Sequence, residues 1–455
     1  MYKRETIDKW SKLYWLLQVF FVGPTYRFYF KKFQVYNRDK VPREKSVILA
    51  PNHQNALMDA LSFVAGTPWQ TVFLMRADVF RGGFVEQILT FIKTLPIFRI
   101  RDGRSTLQKN DEIFDFAVQV LHNQINPLCM FPEGNHGDKR RLRPLVKGIF
   151  RIAFKAQEKF GSEPGVKIIT VGLDYSHYQR FRQTLFMNFG STVEVSEYWN
   201  DYLENPSVAM NKLRDRLAGE MKKVMINIET EEYYDLYMGL RSLFSKKFCR
   251  ADKLKQGNLM HRFQTDKKMI ASLDKCLEKE PDRIKKLGSK YDEYLRLRKK
   301  LNFRDWVPDK KRYSIIGNIA AVLISAVTWP LVLLGLFNNW PNFFLPVHMR
   351  KKIKDAQFHS TATWGTGVVI MVIYYFFLSI TAIIILPYWW LVLLYIITLP
   401  SSGIFMLDYR KFVIKSYHRI RYSLGRISKN PEVNKFKSVY DEIFHDTGEI
   451  MKAYA

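Results

Sequence analysis

The decapeptide NHQNALMDAL, Asn52 to Leu61, sets a histidine close to an aspartate directly after the apolar run SVILAP. A histidine just past a strand, with a carboxylate on the next helical turn, is the pairing that a general base requires. The carboxylate fixes the imidazole tautomer and stabilises the imidazolium as it forms. Five residues separate His53 from Asp59. On its own such a pair is more often structural than catalytic. Two further groups change the weighting. FPEGNHG, Phe131 to Gly137, closes another apolar run, and Gly134 and Gly137 permit a tight turn whose N–H groups can face an anion. The basic stretch DKRRLR follows it, with Lys139, Arg140, Arg141 and Arg143. LPIFRIRDGRS crowds Arg99, Arg101 and Arg104 at the exit of a third run, and a guanidinium group matches phosphate in bidentate fashion. Either basic loop, taken singly, reads equally well as a solvated surface loop.

Such groups need a rigid frame. SVILA, TVFLM, PIFRI, PLCMF and VKIITVGL are short runs rich in branched and aromatic residues, which predicts strands. Between the third and fourth lies STLQKNDEIFDFAVQVLHNQ. Ser105 and Gln108 match a capping box, and Leu107, Phe114, Val118 and Leu121 recur at helical spacing. Strands alternating with helices predict an α/β domain, a mixed sheet flanked by helices, over residues 41–204. Residues 205–312 change to long, charge-rich helical segments.

The three groups, in this order, together with the later strand motif IITVGLDY, resemble the glycerophospholipid acyltransferase family. That family includes glycerol-3-phosphate and 1-acylglycerol-3-phosphate acyltransferases, and the resemblance covers residues 40–200. FPEG placed about eighty residues after an NH…D pair is a specific combination. The resemblance implies His53 as general base and Asp59 as its charge partner. It places Arg101 and the loop Phe131, Pro132, Glu133 and Gly134 on the glycerophosphate acceptor, with Asn135, Lys139 and Arg143 beside them. The implied reaction is attack of a glycerol hydroxyl on an acyl thioester, donated by acyl-CoA or an acidic acyl carrier protein, with no bound cofactor or metal. Thiolate leaves readily, so no enzyme nucleophile is needed. The site must supply a base, alignment and oxyanion stabilisation.

Three departures from the family pattern stand out. Asn135, His136 and Gly137 replace the usual Thr-Arg-Ser after FPEG, which removes an arginine that residues 139–143 can replace. Thr170 stands near the place of a proline in the fourth motif. The His–Asp spacing is one residue longer than the commonest form. In an unbroken helix one extra residue would turn Asp59 by about 100° from His53. His53 follows Pro51, so HQNA is expected to be a loop that absorbs the insertion, with Asp59 in the first turn of the next helix and within hydrogen-bond reach. The longer spacing and the C-terminal apolar segments look similar to yeast-type glycerol-3-phosphate acyltransferases, which points to the first acylation step.

The remainder of the chain points to a lipid surface. From Thr361 to Leu407 there is no Asp, Glu, Lys, Arg or His, which is room for two spans of ~20 residues joined at LPYWW. Residues 313–347 are also uncharged, and Pro330, Pro341 and Pro346 interrupt them. They are expected to form one tilted span or a re-entrant pair, before a hairpin over 361–407 and a basic tail over 408–455. All three basic flanks favour one side of the membrane, which a re-entrant first segment satisfies and three simple crossings violate. The expected location is thus the membrane, multi-pass, with the catalytic domain on the cytoplasmic face. YWLLQVFFVG, in the 1–40 region, is too short to span and reads as an interfacial helix, with Lys31 and Lys32 near lipid phosphates, or as a helix packed on the domain.

Seventy-one Lys+Arg against 43 Asp+Glu give a charge of +28, which calls for an anionic partner. No nucleotide loop, helix-turn-helix or aromatic RNA motif accompanies that charge, so the bilayer and the acyl donor are the expected partners rather than nucleic acid. Cys129, Cys249 and Cys276 form no CxxC pair, which indicates neither a disulfide framework nor a zinc site. Other readings are acyl transfer to another lipid or an amine, and a non-enzymatic basic membrane-anchored binding protein. A metal hydrolase built on His53, Asp59, Glu133 and His136 lacks ligand spacing.

Overall fold

A computed structural model of the protein describes residues 6–42, 46–80, 83–98, 109–161, 165–310 and 313–454. The chain forms two compact units. The first comprises Met1–Asn227 and Arg350–Trp364, and the second Ile228–Met349 and Gly365–Ala455.

In the first unit the described residues build a seven-stranded sheet from β1 (Lys32–Tyr36), β2 (Val47–Pro51), β3 (Val72–Arg76), β4 (Thr94–Ile97), β5 (Leu128–Cys129), β6 (Lys167–Tyr175) and β7 (Thr184–Glu194). Their order is β1-β7-β6-β2-β5-β3-β4, parallel throughout except for the β6/β7 pair. The helices are α1 (Lys12–Leu17), α2 (Gly23–Tyr29), α3 (Leu57–Gly66), α4 (Gly83–Phe91), α5 (Lys109–Asn123), α6 (Gly148–Phe160), α7 (Trp199–Glu204) and α8 (Pro206–Val224).

The unbroken apolar run of β2 follows from its central place, since a strand covered on both faces needs no polar alternation. Ile48 and Ala50 enter one core with residues of α5, α6 and α8, while Val47 and Leu49 enter the other with residues of α2 and α3. Compact packing carries the first unit past the composition boundary at residue 204. The end of α8 lies against β6 so closely that a Cβ on Gly172 would come 1.8 Å from the Val224 carbonyl oxygen. Two strands lie beyond the five that periodicity picks out. β1 is half-buried at every position, inside an aromatic-basic stretch, and β7 mixes Asn188, Gly190 and Ser191 into its apolar run. The capping-box pair Ser105 and Gln108 lies outside the described residues, and so does Leu107.

α1 and α2 are joined by a π-helical turn, Gln18–Val22, into one bent element. One side of it is anchored: Tyr14, Tyr26 and Tyr29 are buried, and the Gln18 amide donates to the carbonyls of Val64, Thr67 and Trp69. The other side leaves Leu13, Val19 and Phe20 exposed. The element therefore packs on the domain while keeping an apolar face of the kind that enters a bilayer interface.

In the second unit α9 (Tyr234–Ala251), α10 (Leu259–Lys279), α11 (Pro281–Lys300) and α15 (Pro431–Ala453) pack together, with Phe244, Tyr294, Phe436 and Tyr440 in ring contact. The basic segment after residue 408 is thus no loose tail: it completes α14 (Trp389–Ile427) and then supplies α15. α12 runs unbroken over Ile315–Arg350 with all three prolines inside it, where a re-entrant pair of short helices stood as one alternative. α13 (His359–Ile385) and α14 turn about Pro387. The segments Ile315–Arg350, Ala356–Ile385 and Trp389–Ile427 are each long and apolar enough to cross a membrane. Polar side chains join these helices. Asn339 donates to the Leu399 carbonyl and accepts from Tyr375, and Asn338 accepts from Tyr395, bonds that lipid cannot offer.

Candidate active site

β2, β5 and β6 run parallel, so their carboxyl ends gather at one edge of the sheet, where α/β proteins bind ligands. His53 leaves the end of β2 and Asp59 lies in the first turn of α3. The aspartate is fully buried, and the His53 side chain keeps 16% of its surface. His53 Nδ1 stands 2.9 Å from Asp59 Oδ2. The same oxygen accepts from the backbone N–H groups of Gln54 and Asn55, each at 2.8 Å, and Tyr175 donates its hydroxyl to Oδ1 at 2.7 Å. An acceptor-only carboxylate beside Nδ1 keeps the proton on that nitrogen, so the lone pair sits on Nε2.

The HQNA loop wraps around Asp59 and aims the backbone N–H groups of Gln54 and Asn55 at the carboxylate. Ala56 takes φ 44° at the turn into α3, a conformation an L residue holds only against strain. Asn52 clasps β6 on the other side, donating to the Leu173 carbonyl at 3.1 Å and accepting from its N–H at 2.7 Å.

The FPEG loop braces His53. Glu133 Oε1 accepts from the His53 N–H at 2.9 Å, and Oε2 accepts from Arg143 N at 3.2 Å and Nε at 3.1 Å. Burial raises the Glu133 carboxyl above its ordinary range, against those bonds and the charge of Arg143. Both oxygens are thus engaged within the protein, so Glu133 holds the loop on His53. Phe131 stacks on the His53 ring at 4.1 Å and 25°. Pro132 is buried, and its carbonyl accepts from Val146 N–H at 2.7 Å. Gly134 sits at φ 66° with Val146 Cγ1 only 2.8 Å from where a Cβ would lie.

Asn135 and Lys139 are exposed beside this loop. Arg140 is committed elsewhere, with Nε 2.9 Å from Asp174 and its guanidinium over the Tyr178 ring. Arg143 has an enclosed Nη2 with no hydrogen-bond partner among the described residues. Arg99, Arg101 and Arg104 lie outside the described residues. His136 comes edge-on to His53, ring centroids 5.5 Å apart, and its imidazole is held below its ordinary range chiefly by burial. Cys129 is buried within β5; burial first, then the charge of Asp59, push its thiol far up, which disqualifies it as a nucleophile.

Tyr175 is the site residue that spacing alone does not reveal. It ends the strand motif IITVGLDY, and only the β2–β6 register brings it to Asp59. Tyr175→Phe leaves one buried carboxylate oxygen without its donor. The expected result is a loss of about 1–3 kcal/mol in stability, read by denaturant titration, with a modest fall in turnover.

Residues 32–174, which hold His53, Asp59 and the FPEG loop, match the family model described as Acyltransferase. Over this span the chain is similar to acyltransferases. The chain is 26% identical over 132 residues to glycerol-3-phosphate O-acyltransferase 1 of Saccharomyces cerevisiae, covering 28% of this chain and 17% of that protein. With glycerol-3-phosphate O-acyltransferase 2 of the same yeast it shares 25% over 138 residues, 30% of this chain and 18% of that protein. An uncharacterized acyltransferase of Schizosaccharomyces pombe is 25% identical over 177 residues, 37% of this chain and 23% of that protein. The chain therefore aligns with less than a quarter of the length of each of these relatives. Among solved structures, the 1-acyl-sn-glycerophosphate acyltransferase PlsC of Thermotoga maritima aligns with a TM-score of 0.33 at 17% identity, covering 49% of this chain and 84% of that one.

Proposed function

We propose that this acyltransferase moves a fatty acyl group from an acyl thioester, on coenzyme A or a carrier protein, to a hydroxyl of glycerol 3-phosphate or 1-acylglycerol 3-phosphate. The observation that carries the reading is the His53–Asp59 pair, with Nδ1 held by a buried carboxylate and Nε2 left as the base. Nε2 takes the proton of the acceptor hydroxyl as its oxygen attacks the thioester carbon. The tetrahedral intermediate expels thiolate, which the imidazolium reprotonates, so ester and free thiol form one for one. Asp59 stabilises the transient imidazolium, and Phe131 and Glu133 hold the ring in line. No cofactor takes part in this step. Arg143 and Lys139 supply positive charge for the acceptor phosphate, with Arg101 assigned to it by motif order. The net basic charge suits an anionic donor and an anionic bilayer.

The first acylation is the preferred step, supported by the spacing of the His–Asp pair and by the named activity of the two budding-yeast relatives. With purified protein and a labelled acyl thioester, glycerol 3-phosphate is expected to be acylated faster than dihydroxyacetone phosphate or 1-acylglycerol 3-phosphate. Exclusive use of the 1-acylated acceptor would overturn that preference.

Connectivity supports one membrane topology. The Arg350–Trp364 segment belongs to the unit that holds His53, and no candidate span lies among the described residues between Asn227 and Tyr313. Both ends of α12 then face the compartment of the active site, the cytoplasm in this reading. On this topology α12, although long enough to span, enters the bilayer without completing a crossing, and α13 and the start of α14 form the spanning hairpin. Cysteines placed singly at positions 310 and 351 of sealed vesicles are expected to react with an impermeant maleimide from the same side. Labelling from opposite sides would contradict this topology.

A further inference from the structure

The segment Arg350–Trp364 stands some three hundred residues after His53, outside the matched domain, yet it is part of the first unit. Its polar groups converge on the catalytic pair along two routes. Asp355 Oδ2 lies 2.9 Å from His136 Nε2, and its Oδ1 accepts from the Gln357 N–H at 3.0 Å, which anchors the carboxylate to a short 3-10 turn, Ala356–Phe358. Phe358 meets the His136 ring edge-on at 5.3 Å, and the side chain of His136 keeps only 9% of its surface. His136 in turn meets the edge of His53. By the second route Ser360, fully buried, donates its hydroxyl to Asn55 Oδ1, and the Asn55 backbone N–H donates to Asp59 Oδ2. Arg350 and Trp364 fasten the two ends of the segment, to the Gln179 carbonyl and to the Tyr26 ring.

We propose that this segment completes the acyltransferase site, with Asp355 acting as a positioning residue that holds His136 against the base His53, and Ser360 holding the loop that carries Asp59's backbone donors. The inference rests on the role assigned to His53. The physical case is that the imidazole must keep Nε2 in line with the acceptor. Asp59 fixes Nδ1, and Phe131 fixes one face of the ring. His136 bounds the ring from a further side, and an imidazole on an FPEGNHG loop keeps one orientation only if one of its nitrogens is tied down. Asp355 supplies that tie. In this arrangement the replacement of an arginine by His136 in the loop and the polar segment between two apolar helices are two halves of one device.

The test uses the full-length protein in lipid. Asp355→Ala is expected to lower kcat roughly ten- to hundredfold, as a misplaced catalytic group does, with KM for the thioester and the thermal transition little changed. Asp355→Asn keeps an acceptor oxygen and is expected to recover most of the loss. In a His136→Ala background, Asp355→Ala is expected to have no further effect, because its action passes through His136. Wild-type kcat in Asp355→Ala, equal loss in Asp355→Asn, or a loss that adds to that of His136→Ala would overturn the proposal. His53→Ala run alongside separates the two readings. If His53→Ala is active, the assignment of the base fails. If it is inactive while Asp355→Ala behaves as wild type, this inference alone fails.

Discussion

His53→Ala is expected to lower acyl transfer from a thioester by about two to four powers of ten while leaving a folded, membrane-bound protein. The size follows from the single task proposed for the imidazole, removal of the acceptor proton, which water can replace only poorly. The fold survives because the side chain is partly exposed and its largest contact, the stack on Phe131, is replaceable by water. The backbone bonds that make the turn are independent of the ring: Glu133 accepts from the His53 N–H and Gly137 N–H donates to the His53 carbonyl. Initial rates and a thermal melt on the same preparation check both halves. Rates near wild type would remove His53 from the mechanism.

The second large effect is at Asp59. An asparagine there can turn its oxygen towards the donors of His53, Gln54 and Asn55. Its amide then faces Tyr175, whose hydroxyl can rotate to accept. The hydrogen-bond network is thereby nearly kept, and Asp59→Asn is expected to cost no more than about 1–3 kcal/mol of stability. What it loses is the negative charge beside a forming imidazolium, so kcat is expected to fall by roughly two to four powers of ten with KM little altered. Asp59→Ala removes every acceptor oxygen at once. It leaves two buried backbone N–H groups unpaired and takes from the Tyr175 hydroxyl its carboxylate acceptor, and is expected to prevent stable folding of the first unit. A clear separation between the Asn and Ala variants, seen in kcat and in denaturation midpoints, distinguishes the charge role from the structural one.

The His53–Asp59 contact was legible from local sequence because strand, loop and helix turn fall within ten residues, so local propensities decide the geometry. The central strands were legible for a related reason, since burial on both faces writes an unbroken apolar run, as in β2. Strands β1 and β7 were not, because an edge strand half-exposed along its length and a strand holding Asn188 and Gly190 carry no such run. Tyr175, Asp355 and Ser360 reach the site through register and long-range packing, across separations that no spacing rule reaches. Glu133 shows the opposite limit. Its motif assigned it to the acceptor, while its oxygens bind His53 and Arg143, a distinction made only by three-dimensional neighbours.

The most direct measurement is the stoichiometry of transfer by the wild-type protein in phospholipid vesicles, with a labelled acyl thioester and glycerol 3-phosphate as acceptor. Free thiol would be followed alongside the acylated product identified by mass spectrometry. The account predicts one acylated glycerophosphate for each thiol released, with both lost together in His53→Ala. Thiol release without acylated acceptor, or acyl transfer that persists in His53→Ala, would contradict it.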